Sequence, residues 1–236
     1  MALVLFAVSR SGISISLKGF KCDRMILKRI YAVAVPSGMM TALPSVMVGI
    51  LNGILAGIST AAVAVLGVYI KIQSFVYMPA NGVIQGLRPI AGYCYGAGKY
   101  DRIRRVMVCG AGSIAVIMAF GTLLFMGMPE MIMTLFKADE EMMATGVSAL
   151  KIISCGFVIS SISLVCAGTF EGLGNGMASL VINMIRQFLI IPPLALLLVP
   201  VWGTAGVWAA FPVAELLAAG ASVFFYRRKI RVIWSN

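Results

Sequence analysis

From Gly49 to Leu87 this chain carries a single charge, Lys71. Nothing else in the sequence restricts the fold as strongly. Soluble domains carry about 25% charged residues; here the figure is 11%, against 61% hydrophobic residues in a chain of 236. Several apolar stretches reach about 20 residues, the length that crosses ~30 Å of hydrocarbon. The expected fold class is all-α, a polytopic membrane protein with a six-helix transmembrane bundle. The spans read as roughly 30–56, 60–87, 104–128, 143–171, 177–200 and 204–226.

The charges that remain lie between the spans. Residues 9–29 hold Arg10, Lys18, Lys21, Arg24, Lys28 and Arg29 against one acid, Asp23. The stretch 88–105 holds Arg88, Lys99, Arg102, Arg104 and Arg105, and the tail holds Arg227, Arg228, Lys229 and Arg231. By contrast, Lys137 is outnumbered by Glu130, Asp139, Glu140 and Glu141. Basic loops stay on the cytoplasmic side. Both termini and the 88–105 loop are therefore expected there, which six spans allow. The net charge of +11 is explained by the lipid bilayer, and no nucleic-acid partner is expected.

The opening "MALVLFAV" is too short for a signal peptide and lacks a basic leader. It reads as the tail of an earlier helix. Residues 1–29 are thus expected to be the end of a preceding helix plus a basic cytoplasmic linker, and 30–236 the six-helix unit.

Polar residues inside the spans are the candidates for function. Span one places Ser37, Thr41, Ser45 and Asn52 within about 80° of arc, beside Pro36 and Pro44. Gly49, Gly53 and Gly57 recur every four residues, a pattern that lets a second helix approach closely. The polar stripe is either a cavity wall or hydroxyls bonded to their own backbone. In span two Gly67, Lys71, Ser74, Asn81, Gly82 and Gln85 share one side, interrupted by Pro79, while Gln73 points nearly opposite. An ammonium at mid-bilayer costs roughly 2.5–3.5 kcal/mol on insertion scales, so Lys71 reads either as a cavity-wall charge or as a tie between helices. Lys151 lies near an outer end and is expected to snorkel. Span five lines up Ser179, Asn183, Arg186 and Pro193, and span six carries Glu215 at its centre. Pro36, Pro44, Pro79 and Pro193 are the expected hinges. Arg186 and Glu215 lie about 15 and 13 residues from the intervening turn, so their depths differ by only ~3 Å at 1.5 Å per residue. They are expected to pair.

Several chemistries find no support. There is no His, and the five Cys show no Cys-x-x-Cys pair. They read as small packing residues. "GLGNG" (172–176) follows no strand, so it reads as a tight turn and not a dinucleotide loop. No P-loop, metalloprotease helix or paired acid cluster appears, and neither enzyme activity, a cofactor nor a metal site is expected.

One long stretch has a recognisable pattern. "VLGVYIKIQSFVYMPANGVIQGLRPIAGYCYGAGKYDRIRR" (65–105) resembles the signature of the multidrug and toxic compound extrusion (MATE) family. The resemblance rests on Lys71, Gln73, Phe75, Pro79, Gly82, Gln85, Pro89, Gly92, Tyr95, Asp101 and Arg102. It continues in "EGLGNGMASLVINMIRQFLIIPPLALLL" and "GTAGVWAAFPVAEL". It implies one lobe, the family's seventh to twelfth helices, of a twelve-helix antiporter in the plasma membrane. Two such lobes rock between outward and inward openings and export organic cations or drugs in exchange for Na+ or H+. The implied partners are a cationic small molecule and an N-terminal lobe or second copy of this chain. Many members carry an acid in the seventh or tenth helix; spans 30–56 and 143–171 have none at mid-membrane. The resemblance then implies that an acid in the family's first helix serves, outside this chain. Two other readings stand beside it. One is a non-transporting subunit or truncated remnant. The other is a flippase for lipid-linked substrates, which needs more cationic residues than Lys71 and Arg186.

Overall fold

The computed structural model describes the backbone of residues 23–234, and their side chains except at 26, 29, 33, 37 and 229–234. The start of the chain, including the expected preceding helix and Cys22, lies outside the described residues. All regular structure among the described residues is helical. The elements are α1 (Arg24–Ala56), α2 (Thr60–Gly96), α3 (Tyr100–Gly127), the short α4 (Pro129–Leu135), α5 (Glu140–Ser154) and α6 (Phe157–Gly172). They continue as α7 (Gly176–Met184), a π-helical stretch (Ile185–Ile190), α8 (Ile191–Trp202) and α9 (Thr204–Trp234). Helices are what so apolar a chain must form in lipid, because each unpaired backbone N–H or C=O is costly there. Four of them, α1, α2, α3 and α9, and the continuous run from α7 through the π-helical stretch to α8 are long and apolar enough to cross a bilayer, and α5 with α6 makes a sixth crossing bent by 51°.

Local chemistry sets the helix ends. Asp23, Ser59 and Asp139 precede α1, α2 and α5, and each side chain accepts a hydrogen bond from an N–H of the first turn. That satisfies donors the helix itself leaves open. Ser59 Oγ also donates to Glu141 Oε1 at 2.7 Å, so the α1–α2 turn and the start of α5 share one end of the bundle. The "GLGNG" stretch is the turn between α6 and α7, with Gly174 at φ +73°, a conformation open to glycine at little cost.

Three expectations need correction. The second span does not end at residue 87. α2 runs to Gly96, so Arg88 belongs to a helix and the connection to α3 is only the turn 97–99. The fourth span is not one straight helix but breaks at Cys155–Gly156. Here a Cβ on Gly156 would lie 3.0 Å from Pro212 Cα and 3.3 Å from Glu215 Cγ, so α9 presses on the joint. Thirdly, no helix among the described residues packs on the glycine ridge of α1: a Cβ on Gly49 or Gly53 would meet nothing within 4 Å. α1 instead rests on the bundle through Met47, Leu51 and Leu55.

Close packing uses other glycines. Val76, Ile84 and Leu87 of α2 fill the space beside Gly121, Gly168 and Gly110, where a Cβ would come within 2.4 to 2.5 Å of them. α2 is thereby keyed into α3 and α6. α6 sits centrally, against α2, α3, α7 and α9, and buries Ser160, Ser163, Val165 and Phe170 on several sides. Its hydroxyls are satisfied by the helix itself, as in Ser160 Oγ to Phe157 O at 2.6 Å. Phe157 at its start stacks edge-on with Phe125 at 5.2 Å and with Tyr77 at 5.8 Å.

α1 runs as an α-helix through Pro36 and Pro44, and α2 through Pro79. The departure from α geometry lies ahead of Pro192 and Pro193, where residues 185–190 are π-helical. A proline ring clashes with the carbonyl four residues back, and a wider turn relieves that clash.

Candidate functional site

One face of α2 carries Gln73, Tyr77, Asn81, Ile84 and Arg88, spaced by three or four residues. With Thr41 and Pro44 of α1, Glu171 of α6, and Asn183 and Arg186 of the fifth span, most of this face encloses a cleft of about 430 Å³. A second cavity of about 180 Å³ adjoins it, sharing Pro44, Tyr77, Arg186 and Gln187 and reaching Gln73, Ser74 and Glu215. A polar cleft inside an otherwise apolar bundle is where a solute or ion finds partners.

Two charge centres flank it. At one end Arg88 Nη2 lies 2.6 Å from Glu171 Oε2. Ser179 Oγ donates to the other carboxylate oxygen at 2.8 Å, and Asn183 Nδ2 donates to Ser179 O at 3.0 Å. Glu171 therefore ties α2, α6 and α7 together. Glycine permits this approach: a Cβ on Gly172 would lie 2.5 Å from Arg88 O. Gly172→Ala should push α2 and α6 apart and lower stability by about 1–3 kcal/mol, the usual cost of overpacking. The shift in melting temperature of the detergent-purified protein measures it.

Near the middle, Arg186 Nε lies 3.6 Å from Glu215 Oε1, with both side chains nearly buried. The expected pair forms. The Arg186 guanidinium also lies 6.0 Å from the Tyr77 ring centroid, the outer edge of cation–π range, and Tyr77 Oη donates to Ser160 Oγ at 3.3 Å. Glu215 Oε2 and Gln187 Oε1 are buried without a hydrogen-bond partner.

The sequence candidates separate clearly. Thr41, Pro44, Asn183 and Arg186 line the large cleft, and Ser74 and Glu215 the smaller one. Asn52, Ser45, Gln85, Pro36, Pro79, Pro193 and Lys71 line neither. Lys71 is exposed on α2, about 120° round from the lining face at about 100° per residue. No hydrogen bond or ion pair among the described residues holds it, so it is neither a wall of this cleft nor a tie within this bundle. Gln73, assigned to the far side from Lys71, is on the lining face for that same reason. Arg88 and Glu171 were missed as a site. Reading α2 past residue 87 would have brought them to the same end of the bundle.

Residues 36–197 match the family model described as MatE. The chain belongs to the MatE family. It is a multi-pass membrane protein, and its helical bundle matches solved MATE structures over about half their length. Among its relatives are an FAD transporter of Shewanella oneidensis, 25% identical over 95% of this chain and 52% of that protein. The multidrug export protein MepA of Staphylococcus haemolyticus is 24% identical over 94% of this chain and 49% of its own. The chain thus spans about half the length of the relatives it matches. A crystal structure of MATE in complex with MaL6 superposes with a TM-score of 0.92 at 22% identity, covering 100% of this chain and 54% of that one. An outward-facing MATE transporter of the MOP superfamily also gives 0.92, at 21% identity and 53% of its length.

Proposed function

We propose that this chain is the C-terminal lobe of a secondary antiporter in the plasma membrane. It exports organic cations or drugs in exchange for Na+ or H+, and works with an N-terminal lobe or a second copy of itself. The observation that carries this reading is the polar cleft, with two ion pairs and several amide side chains in a bundle that is otherwise apolar. Coverage of about half the length of its relatives supports a second lobe. So does the uncovered face of α2, where Lys71, Phe75, Met78 and Gln85 are exposed. A second lobe seated there would give Lys71 the environment that lipid denies it.

The test is efflux of ethidium from cells that express the chain together with its partner lobe. Efflux that requires Arg186, Glu215 and a cation gradient supports the proposal; none in that assembly defeats it. A second reading takes an anionic solute, because Arg88 and Arg186 both line the cleft and one relative is named an FAD transporter. Uptake of FAD into everted vesicles, in place of ethidium, would decide for it.

Orientation follows from the basic excess. The 97–99 turn and the C-terminus are placed in the cytoplasm, and the α4–α5 turn outside. A membrane-impermeant thiol reagent applied to whole cells should label cysteine placed at position 139 and spare one at position 100. The reverse pattern would invert the topology.

A further inference from the structure

Four exposed arginines stand at the end of the bundle that holds the 97–99 turn: Arg104 and Arg105 in the first turns of α3, and Arg227 and Arg228 in the last turns of α9. None has an ion pair or hydrogen bond among the described residues. The packing of α6 brings them to one depth. A Cβ on Gly110 of α3 would lie 4.0 Å from Val165 Cγ2, and Thr122 Oγ1 donates to Ser154 O at 3.1 Å, so α3 runs antiparallel to the α5–α6 crossing. Six residues back from Gly110 is Arg104, level with Glu171. α6 and α9 run in the same direction, from the contact of Gly156 with Pro212 past the neighbourhood of Cys166 and Tyr226. About 15 residues on from that contact, at 1.5 Å per residue in both helices, stand Glu171 and Arg227.

A lipid-facing groove leads to these charges. Val158 and Ile162 of α6 are 41% and 40% exposed. On one side of that stripe Val165 meets α3, and on the other Cys166 lies near Tyr226 of α9, so the stripe opens between α3 and α9. Val108, one turn after Arg104, is 65% exposed. Arg104 lies within electrostatic reach of the Tyr226 hydroxyl, which has no hydrogen-bond partner among the described residues. The 28 residues of α3 extend about 42 Å against ~30 Å of hydrocarbon, so its first turns stand among headgroups.

We infer that this end of the bundle binds an anionic phospholipid, with its phosphate among Arg104, Arg227 and the Tyr226 hydroxyl and an acyl chain along Val158 and Ile162. Basic pockets between membrane helices hold such headgroups by charge, and a guanidinium adds N–H donors in the geometry that phosphate oxygens accept. A phospholipid fits better than free phosphate, because the cations stand at the end of an apolar stripe that only an acyl chain would cover. The charge of the headgroup is selected too. Of the acids at this end, Asp101 opens α3 and Glu171 is engaged by Arg88. The four arginines outnumber them, so the ammonium of a zwitterionic headgroup is repelled where a glycerol headgroup is not. This site is independent of which solute the cleft carries.

Native mass spectrometry of the full chain, released from a neutral detergent, counts the lipid it retains. Titration with phosphatidylglycerol should show one lipid held about tenfold more tightly than phosphatidylcholine with the same chains. Arg104→Gln and Arg227→Gln should each weaken that retention roughly fivefold, the contribution of one basic residue near an anionic surface. Arg102→Gln removes the same charge from a side of α3 about 160° round from Arg104, and should leave retention unchanged. Millimolar inorganic phosphate should not displace the lipid. Equal retention of the two lipids, displacement by phosphate, or a loss with Arg102→Gln equal to that with Arg104→Gln would each overturn the inference.

Discussion

Glu215→Gln should cost the folded protein more than Arg186→Met, and each single substitution more than the two together. Removing one partner of a buried pair costs about 3–5 kcal/mol, because the other charge is left without compensation. The two survivors are not equivalent. A lone Glu215 escapes by taking up a proton, whereas a lone Arg186 stays charged at any pH a protein experiences. Arg186→Met should therefore fall at or below the lower end of that range and Glu215→Gln at the upper end. The double variant replaces two desolvated charges with neutral groups, a change that is often close to neutral. Monodisperse yield and melting temperature of the four proteins give the cycle. A double variant whose loss equals the sum of the two single losses would mean that the 3.6 Å contact contributes no coupling.

Glu171→Ala is expected to loosen the other end of the cleft by roughly 2–4 kcal/mol, since it removes two charge-assisted contacts at once. Arg88 loses its carboxylate and Ser179 its acceptor, so α2 and α7 are both released from α6. Glu171→Gln keeps an oxygen for Ser179 and should recover part of the loss. Ser179→Ala should cost less than either, about 1 kcal/mol for a single hydrogen bond. Melting temperatures in one detergent at fixed ionic strength rank the three. Equal losses for Ala and Gln at 171 would show that the charge alone matters.

The bundle was legible because length and hydrophobicity act locally: each span announces itself without reference to its neighbours. The Arg186–Glu215 pair was legible for a related reason. Two charges equidistant from a short turn must meet at similar depth, whatever the rest of the fold does. The cleft was less so. A polar stripe shows that a face is polar but not which neighbour it meets, and Lys71, the most conspicuous residue, lies on a face of α2 turned away from this cleft. Tyr77 and Asn81 belong to the cleft, and Gln73 to the cavity beside it, because Val76, Ile84 and Leu87 are keyed into glycines on α3 and α6, and that fit is tertiary. The break at Gly156 was hidden for the same reason, since what presses there is Pro212, about 55 residues away along the chain. The π-helical stretch left one trace in the Pro192–Pro193 pair.

The length of α2 sets the two ion pairs in different media. At 1.5 Å per residue its 37 residues extend about 55 Å, against ~30 Å of hydrocarbon. Even strongly tilted, its last turns stand among lipid headgroups, and Arg88, with 43% of its side chain accessible, is on that stretch. Mobile ions reach a pair placed there, over a screening length of about 8 Å at physiological ionic strength. They screen Arg186 and Glu215 far less, with 12% and 13% of those side chains accessible. Salt and the charge of the surrounding lipids thus act more strongly on one end of the cleft than on its middle.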